Sequence, residues 1–240
     1  MMCKANFLEV RQLGWAVSRS SAFFFAAVLM LMCWAIGHGY AESSGAWATS
    51  ASYLKPLDSP TRGAFLVASQ DMPDPRFQRT VILLIEYGEN GALGLVINRS
   101  TEIPLAEVLP DLADANDKPH ALFLGGPVAL DTLLFLVRSK IPLDHGIAVL
   151  DNVYVSAHRA TLKQLLDESK SATKVRIYVG HAGWAPGQLE AELATGSWQL
   201  FEADAALLFH EKPALLWEKF IKQERQIMVH SDTPAETKDW

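Results

Sequence analysis

Cysteine is almost missing from this 240-residue chain, and both examples, Cys3 and Cys33, fall in its first 41 residues. The remainder therefore holds no disulfide and no thiolate metal site. Histidine is present but scattered. His120, His145, His158, His181, His210 and His230 include no pair at helical or strand spacing, so no metal site is expected. Also missing are a Gly-x-Ser-x-Gly elbow, a zinc-protease helix, a phosphate-loop lysine and a dinucleotide glycine pattern. No cofactor is expected and no catalytic residue is assigned. Glu190 and Glu192 stand two apart on an expected helix, so they diverge and make a poor acid–base pair. Runs of lysine and arginine are absent too, and the formal net charge is −6. Taking Lys4, Arg11, Arg19 and Glu9 out of 21 basic and 27 acidic residues leaves 18 against 26, a charge near −8 after position 41. Nonspecific attraction to nucleic acid needs cations to displace counterions from phosphate, so this balance argues against direct nucleic-acid binding.

What is present begins with a leader. Lys4, Arg11 and Arg19 precede the uncharged apolar run Ala22–Ile36, and Gly39 and Ala41 supply small residues around a cut after Ala41. This is the order of a secretory signal. Counted from Ser20 to Gly39, the segment also reaches the ~20 residues of an uncleaved membrane anchor. Cys33 follows Met30-Leu31-Met32 and lacks the small residue expected before a lipidated cysteine. Residues 1–41 are thus read as signal peptide or anchor, 42–58 as a Ser-, Ala-, Thr- and Gly-rich flexible spacer, 59–229 as one folded domain, and 230–240 as a frayed tail. The expected location is exported (periplasmic) or anchored, with membrane contact only through the N-terminal segment.

Along the domain, Gly63–Ala68 and Thr80–Tyr87 read as strands, the second too apolar to face water on either side. Asn90-Gly91 marks a tight hairpin into Ala92–Asn98. Ile103–Leu109 has helical spacing, 111–120 reads as a surface loop, and Ala121–Leu124 and Leu133–Arg138 read as strands around the Gly125-Gly126-Pro127-Val128 loop. Ile147–Leu150 and Val153–Val155 flank an Asp151-Asn152 turn. The helix from Arg159 to about Ser169 aligns Leu162, Leu165 and Leu166. Val175–Val179 then alternates as a strand, leading into a glycine-rich loop, Gly180–Gly187, that opens a helix over Gln188–Leu193. Such a loop can present backbone N–H groups to an anion, or its glycines can simply allow close packing. Gly196 caps that helix, Trp198–Ala203 forms a strand, Asp204 caps a short turn, and Pro213 starts a last helix with Leu215, Leu216, Phe220 and Ile221 on one stripe. Hairpins dominate, so the fold class is α+β with a curved, mostly antiparallel sheet.

Four segments, in order, resemble the bacterial AlgH/YqgE family: Asp74-Pro75-Arg76-Phe77 with Arg79-Thr80-Val81; Gly91–Arg99; Leu124-Gly125-Gly126-Pro127-Val128; and Gly183-Trp184 with Gly187-Gln188-Leu189-Glu190 and Trp198. They span roughly residues 60 to 222. The resemblance implies a bifurcated sheet curled into a pseudo-barrel with flanking helices. It implies no reaction and no cofactor, although members are often labelled transcriptional regulators. Most relatives begin close to the first strand and look cytoplasmic, so the leader here is a departure.

Candidate binding residues are Asn98, Arg99, Gly125, Gly126, Pro127, Gly183, Trp184, Gly187 and Gln188. Arg99 has the forked donors to bind a carboxylate or phosphate, the alternative being a solvated arginine beside an Asn98 turn bond. Gly125-Gly126-Pro127 is either a tight turn or a surface open to another chain. Trp184 and Trp198 are either core or an exposed recognition surface. Asp74 and Arg76 form either a polar entrance or a turn plugged by Phe77. The favoured function is a noncatalytic binding or regulatory domain acting on a protein or small-molecule ligand through these glycine-rich loops. The competing expectations are a hydrolase-like enzyme with its site between the same loops, and a cytoplasmic transcriptional regulator should the leader be a misassigned start.

Overall fold

The computed structural model describes residues 54–110, 121–167 and 174–231. The expected leader, the spacer up to residue 53, the 111–120 loop and residues 232–240 lie outside the described residues. Among the described residues ten strands form one sheet: β1 (Ala64–Ala68), β2 (Val81–Gly88), β3 (Gly91–Val96), β4 (Ser100–Pro104), β5 (Ala121–Leu124), β6 (Val128–Arg138), β7 (Ile147–Leu150), β8 (Val153–Ser156), β9 (Lys174–Trp184) and β10 (Trp198–Glu202). Helices α1 (Leu105–Val108), α2 (Arg159–Asp167), α3 (Gln188–Ala194), α4 (Ala205–Leu208) and α5 (Leu216–Ser231) flank it. No helix among the described residues is long and apolar enough to cross a membrane.

The strand order is β10-β1-β2-β3-β9-β6-β8-β7, with β5 also on β9 and β4 beyond β5. All pairings among the described residues are antiparallel except β5 with β9. The expected bifurcation is located on β9. One edge of β9 carries β6, while the other carries β5 against Ile177–Val179 and then β3 against Ala182–Trp184. The strand changes neighbour at Gly180, which takes φ 68°. There the chain turns over: Tyr178 faces the central core and Val179 the outer one, whereas Ala182 and Trp184 lie in a third cluster.

The fork requires backbone to lie on backbone. A Cβ at Gly125 would sit 2.3 Å from the Gly180 carbonyl oxygen, and one at Gly126 would sit 2.1 Å from the His181 carbonyl carbon. Only glycine leaves room for that crossing. It is fastened by Gly125 N donating to Val179 O at 2.8 Å and by Val96 N donating to Gly125 O at 2.8 Å.

The central core fills the space between the two half-sheets. Phe65, Leu83, Leu95 and Ile97 from one half meet Phe123, Leu134, Leu136 and Tyr178 from the other, under Leu207, Leu208, Leu216 and Phe220. The curl brings the far edge home without closing it. Gly63 lies so near β7 that a Cβ there would be 2.6 Å from Val149 O, yet no ladder joins β7 to β1 or β10.

Several sequence expectations shift. Folded structure begins before residue 59: Leu54 is in the core, Pro56 bridges Phe201, and Leu57 N donates to Leu200 O. β4 was not anticipated, and the helix expected over Ile103–Leu109 shortens to Leu105–Val108 because Pro104 ends that strand. The glycine-rich loop from Gly180 is mostly strand, since β9 continues to Trp184 by pairing with β3. Pro213–Leu215 is a 3₁₀ turn rather than the start of α5, leaving Leu215 exposed off the apolar stripe. The last helix reaches Ser231, past the expected start of the tail at 230.

Gly126→Ala is expected to destabilise the protein by about 3 kcal/mol or more, because the added methyl meets rigid backbone at positive φ. Gly183→Ala, with nothing within 3.4 Å of its new Cβ and no positive φ, should fall within about 0.5 kcal/mol of wild type. Urea unfolding of the two variants checks the contrast.

Candidate functional site

Several of the residues that carry the family resemblance are linked through the 74–79 turn. β3 ends at Val96, and Asn98 just beyond it is buried. Its Oδ1 accepts from Val81 N at 2.9 Å and its Nδ2 donates to Arg79 O at 2.9 Å. This is a bridge between strands, not the local turn bond its sequence context suggested. It holds Arg79 at φ 57°, an uncommon conformation for a residue with a side chain.

Arg99 performs the same work on the preceding turn. Its Nη1 donates to Arg76 O at 2.6 Å and its Nη2 to Gln78 O at 3.0 Å. Burial pushes its guanidinium pKa down. The forked donors thus bind two backbone carbonyls of this chain, in place of a ligand anion. Within the turn, Asp74 receives Arg76 Nε at 3.1 Å on each oxygen and Nη2 at 2.7 Å, which holds the Asp74 carboxyl below the usual carboxylate range. The pair is exposed, and its effect is to close the turn.

Phe77, presented by that turn, stacks on Trp184 with centroids 6.3 Å apart and meets Trp198 edge-on at 5.6 Å. Both tryptophans are buried in the cluster that includes Leu189 of α3. Their indole N–H groups converge on one oxygen of Glu192, Trp184 at 2.9 Å and Trp198 at 2.7 Å, while Gln188 Nε2 donates to the other oxygen at 2.9 Å. Gln188 Oε1 in turn accepts from Ala185 N at 3.1 Å, which pins the start of the helix. Glu190 points elsewhere and accepts from Tyr87 Oη at 2.7 Å, a bond that raises the phenol pKa. Divergence of Glu190 and Glu192 was legible from their spacing. The hub role of Glu192 was not, because it depends on a strand and a turn distant in sequence.

The candidate residues therefore divide. Asn98, Arg99, Trp184 and Gln188 are engaged in internal bonds. Gly125 and Gly126 are buried in the fork, joined to the Arg99 region by Leu124 N donating to Arg99 O at 2.9 Å. Pro127, Gly183 and Gly187 are exposed. The helix expected over Gln188–Leu193 is present as Gln188–Ala194, seven residues long with Gly187 in the left-handed region at its start. Sequence spacing also missed one histidine pair: the rings of His145 and His158 stack at 4.1 Å, joined by the turn before β7 and the segment after β8. His158 Nδ1 lies 2.9 Å from Thr161 Oγ1. Stacked rings do not aim their nitrogens at a common point, and no group of three or more metal-ligating side chains occurs among the described residues.

A forked, mostly antiparallel α+β domain whose polar motif residues brace its own turns is the class defined by these observations. The AlgH-like family model matches residues 65–227, and the chain belongs to that family. It is 33% identical over 182 residues to a UPF0301 protein of Streptomyces avermitilis, covering 72% of this chain and 93% of the relative. Against a UPF0301 protein of Photobacterium profundum the identity is 36% over 162 residues, covering 64% and 86%. The solution structure of the AlgH protein from Pseudomonas aeruginosa is similar with TM-score 0.57 at 32% identity, covering 75% of this chain and 99% of that one. A crystal structure from Corynebacterium diphtheriae is similar with TM-score 0.54 at 27% identity, covering 62% and 79%.

Replacing Glu192 by Ala strands two buried indole donors. The expected cost is about 2 kcal/mol, with a shift in tryptophan emission as the two rings loosen. Chemical denaturation followed by fluorescence measures both.

Proposed function

We propose that this protein is a noncatalytic binding or regulatory domain, exported or membrane-tethered, that recognises a polypeptide partner through an exposed strip at the fork. The observation that carries this reading is the division of labour among the family residues. The polar ones bond to the chain itself, whereas the exposed ones are small or apolar. Val128 is 44% exposed and pairs with His181. Gly183 follows two residues later, and Ala185, Pro186 and Gly187 continue the exposed run, with Pro127 beside Val128. Low relief and backbone close to the surface suit contact with another chain, while bond-making chemistry calls for convergent polar groups. The leader supports an extracytoplasmic site of action, and such a location would keep the domain away from DNA.

Gly183→Arg places a bulky charge on the strip at a position where a side chain has space. It is expected to abolish retention of the partner captured by wild-type protein, with an unchanged melting temperature. Turnover that scales with protein and disappears in His181→Ala would overturn the noncatalytic reading. For location, the first 41 residues fused to a reporter active only outside the cytoplasm should give signal, and a dark reporter refutes export.

A further inference from the structure

The β6–β9 ladder ends on two like charges. Arg138 stands directly opposite Lys174, both exposed, and exposed Lys140 follows on the loop that leaves β6. None of the three is in an ion pair among the described residues, so Asp144 and Asp151 on the neighbouring turns neutralise none of them. Like charges set directly across a ladder repel, so this corner is arranged at a cost within an acidic chain. Beside Lys140 stands Ile141, 73% exposed, the most exposed large hydrophobic side chain among the described residues. An isoleucine exposed singly is ordinary. Here, however, the backbone around it is pinned: Ser139 Oγ accepts from Ile141 N at 3.1 Å and donates to Ile141 O at 2.8 Å, while Ser139 N donates to Asn152 O at 2.9 Å. Exposed Pro142 follows, and Leu143 packs against the outer core.

A pinned apolar tip beside three unpaired cations matches the boundary of an anionic bilayer, where the apolar group enters the headgroup layer and the cations meet lipid phosphates. Charges on the far side of the domain are screened over about 8 Å at physiological salt, and their excess of acid turns that side away from the lipid. Three cations and one isoleucine hold weakly alone. A tether changes this: with the anchor counted to Gly39, residues 40–53 precede Leu54 and span no more than about 50 Å when extended. Docking is then intramolecular, and weak contacts suffice. We propose that the corner formed by Arg138, Lys140, Ile141 and Lys174 docks the tethered domain on an anionic membrane surface, a contact additional to that of the N-terminal segment. This rests on the membrane-tethered form of the reading above. Lys174 begins β9 and Gly183 lies near its other end, so docking leaves the exposed strip open to its partner.

The test reconstitutes the full chain in vesicles of phosphatidylcholine, alone or with phosphatidylglycerol, and follows flotation together with amide hydrogen exchange over residues 138–143. The chain should float with both vesicles, and exchange in the loop should slow only where phosphatidylglycerol is present and recover at high salt. Lys140→Glu changes two charges and should lower the ratio of docked to free domain about tenfold. Ile141→Ser should lower it as well, both variants keeping the wild-type melting temperature. Lys222→Glu makes the same charge change on α5 and should leave the protection intact. Failure to float with either vesicle removes the tether, and the proposal falls with it. Flotation with equal exchange in both vesicles, or equal loss of protection in Lys140→Glu and Lys222→Glu, overturns the docking corner alone. Protection in detergent that rises with protein concentration assigns the corner to a second copy of the chain and likewise overturns it.

Discussion

Backbone contact at Gly125-Gly126 against Gly180–Ala182 is the constraint on which the architecture rests. A strand can offer only two edges, and β9 serves three partners by changing neighbour along one of them. That exchange needs β5 to leave and β3 to arrive within a residue or two, so the chain leaving β5 must pass directly over the switch point. Side chains there would force the layers apart and open the central core between the half-sheets. Interiors at crystal-like density transmit such displacement instead of absorbing it. The fork consequently sets the positions of β3, of the turn before β2 and of the helix after β9.

From that frame the braces follow. Asn98 and Arg99 emerge from β3 where it passes the fork, and each reaches back to carbonyls of the 76–79 turn. That turn delivers Phe77 onto two tryptophans, whose N–H groups meet Glu192 on the helix that β9 leads into. Polar residues that look like ligand-binding candidates are here the means by which three loops share one geometry. Buried networks of this kind are favourable only when every member is satisfied, and this one largely is.

Much of the fold was legible. The Asn90-Gly91 hairpin, the Asp151-Asn152 turn, the Asp204 cap and the Gly196 stop are local signals, and each is found where local physics puts it. What escaped the sequence reading depends on distant chain. Continuation of β9 through Gly180–Trp184 looks like a loop because glycines are poor strand formers, and only pairing with β3 makes it a strand. β4, short and mostly exposed, carries no apolar alternation strong enough to announce it. The alternation over Val175–Val179 identifies a strand but not that the curl buries residues on both of its faces, Ile177 and Val179 on one and Tyr178 on the other. How the candidate residues are arranged was not legible, since the difference between Arg99 holding a ligand and Arg99 holding the residue 76 carbonyl lies in where the 74–79 turn folds.

The wiring of the outermost ladder bears on when the molecule can assemble. β1 lies between β2 and β10, and Ala64 pairs with Glu202. One edge of the first strand, whose other edge pairs with β2, therefore waits for the last strand, and the ribosome must release well over half of the chain before that ladder can form. Contacts so remote in sequence form late, because a long loop must close before they return any stabilisation. A growing chain built this way stays short of its native sheet until residue 202 has left the ribosome, so its apolar strands spend most of synthesis without their final partners.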